Sequence, residues 1–562
     1  MLRPIATNTT FQLTEQRRRL RTRLSEERFD LAIIGGGITG ASIARDAALR
    51  GYRVALVEQA DFAFGTSSRS SRLVHGGLRY LEHGQIGLVF ESVSERARLA
   101  DLARHIVRPL PFVFPVFRRQ GRRLWMVDSG LWLYDALALF RNFRTHETLS
   151  PRGVTDHLPG IRSSGLTGGV LYYDYQTDDA RLVLENIISA RAAGATILSY
   201  AQMTGFEYDG QRVSGLEVHD LIDDESFTLS ARTVVCAAGP WTDPVMGLSK
   251  KTKHWLNPTK GVHLVVPRDK LPLDKALVMR HPQDKRVHFA LPYHERTVLG
   301  TTDTFHEGDP AKVRATRDDV RYLLLSANDY FPGANLQEED VISSWAGLRP
   351  LLAQEDLDDP SAVSREHVIE SRSDGVVVIA GGKLTTYRRM AAECMEEVVT
   401  AIAAGGGPAP KKTAPTHRMP LPGAEGLRTD SALDDLAARL ARRFGSRETG
   451  QHLAEVYGSR SQSIVDLVNA DPKLASCIIE GLPHVWAEIL FSARHELVCT
   501  LTDLMVRRTQ LFYRDLDQGL GVAQEIAERI APILDWDAAE TDRQVEAYRE
   551  EVADNRHWRT ES

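Results

Sequence analysis

One stretch near the amino end, residues 29–58, constrains the fold of this chain more than any other. An apolar run at 30–34 is long enough for one buried strand, and a second run at 53–57 repeats that pattern. Between them, small apolar residues along one side of 41–50 indicate a helix. A strand, a helix and a second strand within about thirty residues predict a parallel βαβ unit.

Three glycines and an acid suit this unit to a dinucleotide. Gly35, Gly37 and Gly40 have the spacing G-x-G-x-x-G. The first glycine permits a tight turn, the second lets a pyrophosphate approach the backbone, and the third lets helix and strand pack closely. The amides that open the helix would hold the phosphates. Glu58, 18 residues past Gly40, favours the unphosphorylated ribose of FAD or NAD over NADP, and the motif does not choose between those two.

The totals are those of a soluble protein with several domains. A chain of 562 residues predicts two or three domains, and 43% hydrophobic and 26% charged residues are typical of globular proteins. A net charge of −6 gives no indication of a nucleic-acid partner. The four cysteines lie far apart with no C-x-x-C pair, which favours reduced thiols in the cytoplasm and predicts no metal site. No run of about twenty apolar residues could span a bilayer.

Residues 1–28 precede the first strand and contain an arginine cluster at 17–23. No apolar stretch follows that cluster, so we do not expect a secretory signal. An organelle transit peptide is an alternative that Glu15, Glu26 and Glu27 weaken. We expect a solvated helical arm.

A polar loop follows the βαβ unit. Residues 66–80 read T-S-S-R-S-S-R-L-V-H-G-G-L-R-Y. Hydroxyls and glycines at this density are typical of a loop whose backbone and side chains hydrogen-bond a polar ligand. An ordinary surface loop is the alternative, and composition does not exclude it.

Residues 105–146 interleave aromatic and basic side chains. The members are Phe112, Phe114, Phe117, Trp125, Trp132, Tyr134 and Phe140 with Arg108, Arg118, Arg119, Arg122, Arg123 and Arg141. Rings at headgroup depth and cations against anionic lipid are what an interfacial membrane anchor needs. An ordinary core helix with a charged flank is an equally good interpretation.

The middle of the chain predicts strands around one helix. A helix is expected over 179–193, a hairpin turn at 209–210 and a buried strand at 233–236. Residues 254–304 alternate between apolar and polar like antiparallel strands. We expect this sheet to cover the nucleotide-binding half.

A second strand–glycine–helix unit lies at 375–404. Its glycines are followed by Lys383 and a helix from Thr385 to about residue 404. Leu384 stands where a P-loop needs Ser or Thr, so this is instead a second helix N-terminus directed at an anion. Residues 405–410 have the composition of a linker.

The last part of the chain, 428–562, has helical periodicity and little strand signal. The predicted helices cover 431–444, 487–508, 522–534 and 538–553. The segment that begins His495-Glu496 lacks the second histidine of H-E-x-x-H, so no zinc protease is implied. No calcium-binding loop is present in the sequence.

Several motifs occur together in one order. They are G-G-G-I-x-G from Gly35, T-S-S-R-S-S-R-L-V-H-G-G-L-R-Y-L-E from Thr66, A-A-G-P-W from Ala237, K-G-V-H from Lys260, G-T-T-D from Gly300, G-L-R-P from Gly347 and G-G-K-L-T-T-Y from Gly381. Over about residues 29–400 the chain closely resembles the FAD-dependent, quinone-linked glycerol-3-phosphate dehydrogenases. A looser resemblance continues through 503–509.

The resemblance implies an α/β protein in three parts. A Rossmann-like FAD-binding domain and an antiparallel-sheet substrate domain, as in D-amino-acid oxidase, would be followed by an all-helical C-terminal domain. We expect an arm at 1–28, the FAD and substrate domains at 29–410, with the substrate sheet mainly at 254–350, and the helical domain at 411–562. The absence of calcium loops indicates a bacterial protein rather than a mitochondrial one.

The resemblance also implies the site residues. The expected FAD contacts are Gly35, Gly37, Gly40, Glu58, Thr66, Ser67, Ser68, Gly76, Gly77, Gly239, Gly382, Lys383, Leu384 and Thr385. The expected substrate contacts are Arg79, Tyr80, Arg349, Lys383 and Thr385.

A phosphorylated alcohol needs two or more cations, and a base must hold the proton of its hydroxyl as the hydride leaves. His263 is the candidate base, and Lys383 or Arg349 would stabilise the alkoxide. The assignment among these three catalytic residues stays open. The helix near Thr385 would direct its positive end at the flavin pyrimidine.

The function that follows is oxidation of sn-glycerol 3-phosphate to dihydroxyacetone phosphate by hydride transfer to FAD, with electrons passed to membrane quinone. The expected location is the cytoplasm, peripherally at the inner face of the cell membrane through 105–146, and a homodimer is possible. The alternatives are a glycerol-3-phosphate oxidase that makes peroxide, another amine or alcohol oxidase of the same fold, and a non-enzymatic FAD-stabilised binding protein.

Overall fold

The computed structural model describes residues 13–78, 81, 84–118, 123–139, 142–250, 253–353 and 366–561. Within these residues two large sheets lie side by side and helices surround them. The strands in chain order are β1 Phe29–Ile34, β2 Val54–Val57, β3 Leu73–Val74, β4 Arg108–Phe117, β5 Glu147–Leu149, β6 Leu166–Gln176, β7 Thr196–Leu198, β8 Ala201–Asp209, β9 Arg212–Asp220, β10 Glu225–Cys236, β11 Thr259–Pro267, β12 Ala276–Arg280, β13 Val287–Tyr293, β14 Arg296–Gly300, β15 Thr304–Phe305, β16 Ser343–Arg349, β17 His367–Ser371 and β18 Val376–Gly381.

The first sheet has the order β17-β18-β10-β1-β2-β7, and the hairpin of β8 and β9 extends from β10. Strands β18, β10, β1, β2 and β7 are parallel, while β17 is antiparallel at the edge. The predicted βαβ unit is therefore present. Because β1 lies at the centre between β10 and β2, its glycine turn opens at the carboxyl edge of the sheet, where ligands bind in such folds.

Three helices cover the face of this sheet. They are Ile38–Leu49, Asp179–Ala192 and Tyr387–Ala404. The first is buried along almost its whole length, since its alanines and glycine allow close packing on both sides. The predicted bounds of the helices beginning at Asp179 and near Thr385 agree with the structure, except that the three residues Leu384–Thr386 form a 3₁₀ turn before the second one.

The second sheet has the order β15-β11-β14-β13-β12-β4-β6-β3, with β16 paired to β11 and β5 paired to β6. Its pairs are antiparallel apart from β12 with β4. The prediction of antiparallel strands over 254–304 is confirmed. The helix Arg317–Tyr330 closes the outer face of this sheet.

The C-terminal part is helical, as expected. Its helices are Asp430–Phe444, Arg447–Tyr457, Ser461–Ala470, Trp486–His495, Leu511–Arg514, Leu520–Leu534 and Ala538–Asn555, with a π-helical turn at Asp503–Arg508. The predicted continuous helix over 487–508 is wrong. The chain leaves the helix after His495, since Leu497 has a positive φ of 57°, and the carboxylate of Asp503 then accepts hydrogen bonds from the amides of Cys499 and Thr500.

The N-terminal segment forms the predicted helix, Leu13–Glu26, and most of its side chains are solvated, but the helix is docked on the protein rather than free. Residues 1–12 of the predicted arm lie outside the described residues. Arg17 is only 4% exposed, and its guanidinium pairs with the buried carboxylate of Asp220. Arg21 pairs with Asp223 in the same turn. Arginines of the predicted cluster therefore dock the helix where β9 turns into β10.

The aromatic residues of 105–146 fall into two groups. Phe112, Phe114 and Phe117 lie on β4, and Tyr134 packs against it, so these four rings belong to the core. The helix Leu124–Leu137 shows the opposite behaviour on its outer side. Four of its apolar side chains are exposed, namely Trp125 (62%), Met126 (47%), Trp132 (54%) and Leu133 (43%). Arg119, Arg122, Phe140 and Arg141 lie outside the described residues.

Three further helices precede the C-terminal helical part, namely Ile86–Leu102, Pro151–His157 and Thr242–Gly247. Ile86 and Phe90 on the first of these are also exposed. Among the described residues we find no helix that is long and apolar enough to cross a membrane.

Candidate active site

A cavity runs between the two sheets, from the carboxyl edge of the first sheet to the inner face of the second. At one end it is lined by the turn after β1 and by Glu58 at the end of β2. At the other end it is lined by His263 on β11 and Arg349 on β16. The loop 64–75 and the segment 379–385 form the walls between these ends.

The glycine turn has the geometry of a dinucleotide cradle. Gly35 has φ +107°, and a Cβ there would lie 2.6 Å from the carbonyl oxygen of Ala237. A Cβ at Gly40 would overlap the carbonyl oxygen of Gly35, so helix and strand touch at this glycine. Gly37 has no side chain to cap the helix, and the amide of Ile38 donates to Ser67 instead. Gly37, Ile38 and Thr39 line the cavity, so the helix N-terminus faces it. The residues present therefore fit the pyrophosphate of FAD.

Glu58 closes this end of the cavity. One carboxylate oxygen accepts a hydrogen bond from the amide of Gly36 at 2.6 Å, and the other accepts one from the amide of Ala60 at 3.0 Å. Burial raises the pKa of Glu58 despite these two hydrogen bonds. The carboxyl group is thus held beside the glycine turn, where a ribose would meet it.

The loop after β2 links the two ends of the cavity. Ser67 Oγ accepts a hydrogen bond from the amide of Ile38 at 3.0 Å, and Thr66 Oγ1 donates to the carbonyl of Leu348. Further along, Ser71 Oγ lies 2.8 Å from Nε2 of His263. The loop therefore contacts the start of helix Ile38–Leu49 at one point and the candidate base His263 at another.

His263 lies flat against Trp345, with ring centroids 5.1 Å apart and planes 16° apart. Burial lowers the pKa of His263 well below its usual value, and the positive charges of Arg349 and Arg72 lower it further. The imidazole is therefore neutral near pH 7 and can accept a proton. Among the described residues its Nδ1 atom has no hydrogen-bond partner.

Arg349 is positioned by the loop 301–303 between β14 and β15. Its Nη1 atom donates to Asp303 Oδ1 at 2.9 Å, and its Nη2 atom donates to Thr301 Oγ1 at 2.9 Å. The guanidinium crosses β11 at Gly261, where a Cβ would come within 2.6 Å of Nη2. The side chain lines the cavity and remains partly exposed.

Lys383 lines the same cavity at the start of the segment that leads into helix Tyr387–Ala404. Thr385 follows it and is almost fully buried. Its hydroxyl donates to the carbonyl of His75 at 3.1 Å and accepts from the amide of His75 at 3.2 Å. This helix N-terminus is therefore fixed against the loop that contains His75.

Most of the residues expected from the sequence line this cavity. They are Gly35, Gly37, Glu58, Thr66, Ser67, Gly239, His263, Arg349, Gly382, Lys383, Leu384 and Thr385. Gly40, Ser68, Gly76 and Gly77 do not line it. Gly76 instead permits contact with the buried ring of Tyr134, whose hydroxyl accepts from its amide at 2.9 Å. Arg79 and Tyr80 lie outside the described residues.

Sequence reasoning did not single out several lining residues. Ser71, Thr301 and Trp241 belong to motifs already recognised, but nothing in a single sequence distinguishes them from their neighbours. Met203 and Met390 also line the cavity, yet methionines on apolar faces carry no functional signal. Only the fold brings these residues to the site.

Comparisons with known proteins agree with this geometry. Residues 30–388 match the family model "FAD dependent oxidoreductase", and residues 414–541 match "C-terminal domain of alpha-glycerophosphate oxidase". Glycerol-3-phosphate dehydrogenase 2 of Mycobacterium bovis is 38% identical over 94% of this chain and 89% of its own length. Aerobic glycerol-3-phosphate dehydrogenase of Staphylococcus saprophyticus is 35% identical over 96% of each chain.

A solved structure is similar over almost the whole chain. The glycerol-3-phosphate dehydrogenase from Bacillus halodurans complexed with FAD has a TM-score of 0.80 and 31% identity, covering 97% of this chain and 98% of its own. The fold and the cavity define an FAD-dependent oxidoreductase with a helical C-terminal domain. Within that class the chain belongs to the glycerol-3-phosphate dehydrogenase family.

Proposed function

We propose that the protein oxidises sn-glycerol 3-phosphate to dihydroxyacetone phosphate with FAD as its cofactor. One observation carries the proposal: a single cavity is lined by the glycine cradle at Gly35 and by the two cations Arg349 and Lys383. The first feature suits a dinucleotide, and the second suits a phosphorylated alcohol. The names of the relatives support the same substrate.

Arg349 and Lys383 are the proposed phosphate and alkoxide contacts. The guanidinium of Arg349 can offer a planar, bidentate face to a phosphate, while Lys383 supplies a compact charge. Each charged hydrogen bond contributes about 1.5–3 kcal/mol. Two such bonds would separate glycerol 3-phosphate from glycerol by several orders of magnitude.

His263 is the proposed base. When bound, FAD supplies the acceptor for the hydride that leaves the substrate carbon. The chain must hold the hydroxyl proton, and the neutral ring of His263 can take it beside Ser71. Trp345 and Ser71 keep the imidazole in place. Arg79, Tyr80 and Thr385 stay predicted substrate contacts.

We infer that membrane quinone is the electron acceptor and that the protein binds the inner membrane surface peripherally. The exposed apolar side of helix Leu124–Leu137 supports this inference, since its tryptophans and neighbouring arginines suit the headgroup region. The proposed anchor is smaller than the predicted segment 105–146, because the aromatic residues of β4 are buried in the core. The domain boundaries at 28 and 410 and a homodimer stay predictions.

The deciding experiment is an anaerobic absorbance spectrum of the purified protein. We expect a yellow flavoprotein whose flavin bands bleach on addition of glycerol 3-phosphate and stay unchanged with glycerol. A colourless protein that takes up no FAD would overturn the cofactor assignment. A yellow protein that glycerol 3-phosphate does not bleach would overturn the substrate assignment alone.

An oxidase is the second candidate, because the C-terminal match carries the name of an oxidase. The two functions share the cavity and differ in the acceptor. After bleaching, admission of air and addition of a soluble quinone analogue separate them. Fast reoxidation by the quinone with little peroxide supports the dehydrogenase, and fast peroxide formation supports the oxidase.

A further inference from the structure

The loop that follows β2, residues 59–65, forms the wall of the cavity next to Glu58. Gln59, Phe64 and Gly65 line the cavity. The amide of Ala63 donates to the carbonyl of Gly36 at 3.1 Å, so the loop is hydrogen-bonded to the glycine turn itself. Any displacement of this loop therefore moves two walls of the end that suits the adenosine of FAD.

The back of this loop is held by the C-terminal helical region. Asp61 is fully buried, and both of its oxygens accept hydrogen bonds from Arg508, at 2.7 Å from Nη1 and 2.8 Å from Nη2. Arg507 donates to the same carboxylate through Nε. Arg507 and Arg508, more than four hundred positions further along the chain, thus both bind the one acid of this loop.

The π-helical turn Asp503–Arg508 brings the two arginines together. Asp503 accepts a hydrogen bond from Arg507 Nη2 at 2.9 Å and another from the hydroxyl of Tyr200 at 2.6 Å. The four charges of Asp61, Asp503, Arg507 and Arg508 therefore balance within one buried cluster. Such a cluster is fixed in geometry, because each buried charge depends on its partners.

The electrostatics agree with a firmly ionised Asp61. Burial alone would raise the pKa of this carboxyl group, but Arg508 and Arg507 together hold it below its usual value. The guanidinium of Arg507 also lies 6.0 Å from the centre of the Phe64 ring, which lines the cavity. The cluster thus contacts the cavity wall through both Asp61 and Phe64.

We propose that the buried cluster of Asp61, Asp503, Arg507 and Arg508 makes the C-terminal helical region a clamp on the adenosine end of the FAD site, so that it sets the affinity for the cofactor. These are positioning residues, since they act through the loop 59–65. The inference rests on the proposed use of FAD. It assigns a task to the helical region, which forms none of the cavity lining.

The test measures the dissociation constant of FAD by titrating apoprotein and following quenching of flavin fluorescence. Arg507→Gln and Arg508→Gln should each weaken FAD binding at least about tenfold, the change that 1.4 kcal/mol produces. Once FAD is saturating, the KM for glycerol 3-phosphate should stay within about twofold of the wild-type value, because the substitutions leave Arg349 and Lys383 unchanged.

Arg514→Gln is the matched control. Arg514 is also a buried arginine of the helical region. It pairs through two nitrogens with Glu295, in the turn between β13 and β14 of the second sheet, at 2.7 and 3.0 Å. It lines no part of the cavity. Loss of this pair should lower the unfolding temperature but leave the FAD dissociation constant unchanged.

Arg508→Lys keeps the charge and so protects the fold if the glutamine variants do not fold. Lysine cannot reproduce the paired bonds to both oxygens of Asp61, so we expect weaker FAD binding with a smaller loss of apoprotein stability than in Arg508→Gln. Wild-type affinity in Arg508→Lys, or an equal loss of affinity in Arg514→Gln, would overturn the clamp. A wild-type protein that binds no FAD would instead overturn the proposed function.

Discussion

At the scale of single residues, the proposed chemistry rests on a cation, Arg349, and a neighbouring base, His263, whose protonation that cation disfavours. Arg349 and His263 lie on the paired strands β16 and β11. The cation that suits a phosphate also lowers the pKa of the candidate base. In the proposed site Arg349 would bind the phosphate, and its charge adds to burial in keeping His263 unprotonated, so substitution of Arg349 should reveal both effects.

Arg349→Ala should raise the KM for glycerol 3-phosphate steeply while FAD stays bound. Loss of charged hydrogen bonds worth about 1.5–3 kcal/mol predicts a rise of roughly 10- to 150-fold. Steady-state kinetics with an artificial acceptor measure it, and the flavin spectrum checks the cofactor. Arg152→Ala, at a side chain that is 91% exposed, is the control. An unchanged KM would remove Arg349 from the substrate site.

The same substitution should change the pH profile. Without the cation of Arg349 the protonated imidazole of His263 is less disfavoured, so its pKa rises. Activity needs the neutral ring and is lost as the pH falls through that pKa. The acid limb of log kcat/KM should therefore move to higher pH in Arg349→Ala. If the limb stays in place, His263 is not the base.

The site was predictable wherever a motif required a residue type for a physical reason. Gly35 must adopt a positive φ, and Glu58 must end a strand beside it, so both could be found from spacing. Ser71 could not be found in this way. It matters because β11 brings His263 to within 2.8 Å of it, and that pairing spans nearly two hundred residues.

At the scale of elements, periodicity predicts a helix well where burial alone determines it. Asp179–Ala192 and Tyr387–Ala404 were predicted closely, because one apolar face packs on a sheet. The predicted helix over 487–508 failed because polar residues end it. Glu496 is buried against Arg181 and Asp503 caps the next turn, and neither interaction has a local sequence signal.

The helix Leu124–Leu137 carries the prediction at this scale. Trp125→Ser with Met126→Ser should reduce pelleting with vesicles of anionic phosphatidylglycerol, because two exposed apolar side chains leave the lipid-facing side. Sedimentation with anionic and neutral vesicles measures the effect. Leu221→Ser with Ile222→Ser is matched, since both are exposed to a similar degree in a distant turn.

Equal pelleting of the two double variants would contradict an anchor at this helix. Neutralising Arg118 and Arg123, which flank it, tests the electrostatic part. That change should weaken binding to anionic vesicles and leave any binding to neutral vesicles unchanged. Arg119 and Arg122 belong to the same predicted cluster and can be neutralised with them.

At the scale of the whole molecule, the helical region and the FAD half share buried charges and one buried histidine. His105 is fully buried, and among the described residues neither of its ring nitrogens has a hydrogen-bond partner. A Cβ at Gly423 would overlap its ring, so the chain entering the helical region packs directly on it. Burial lowers the pKa of His105 to about 4.

This histidine should make the assembly of the two halves sensitive to acid. In the unfolded chain His105 takes up a proton near pH 6.5, whereas in the folded protein it stays neutral down to about pH 4. Its contribution to stability is complete above pH 6.5 and is lost as the pH falls towards 4, by up to about 1.4 kcal/mol per pH unit.

His105→Leu removes that proton-binding site, so between pH 7 and pH 5 the loss of unfolding free energy should be smaller by about 2 kcal/mol than in the wild type. Chemical denaturation at the two pH values measures the difference, and His254→Leu, on an exposed side chain, should keep the wild-type dependence. Identical pH dependence in His105→Leu and the wild type would mean that the buried ring is not what makes the interface acid-sensitive.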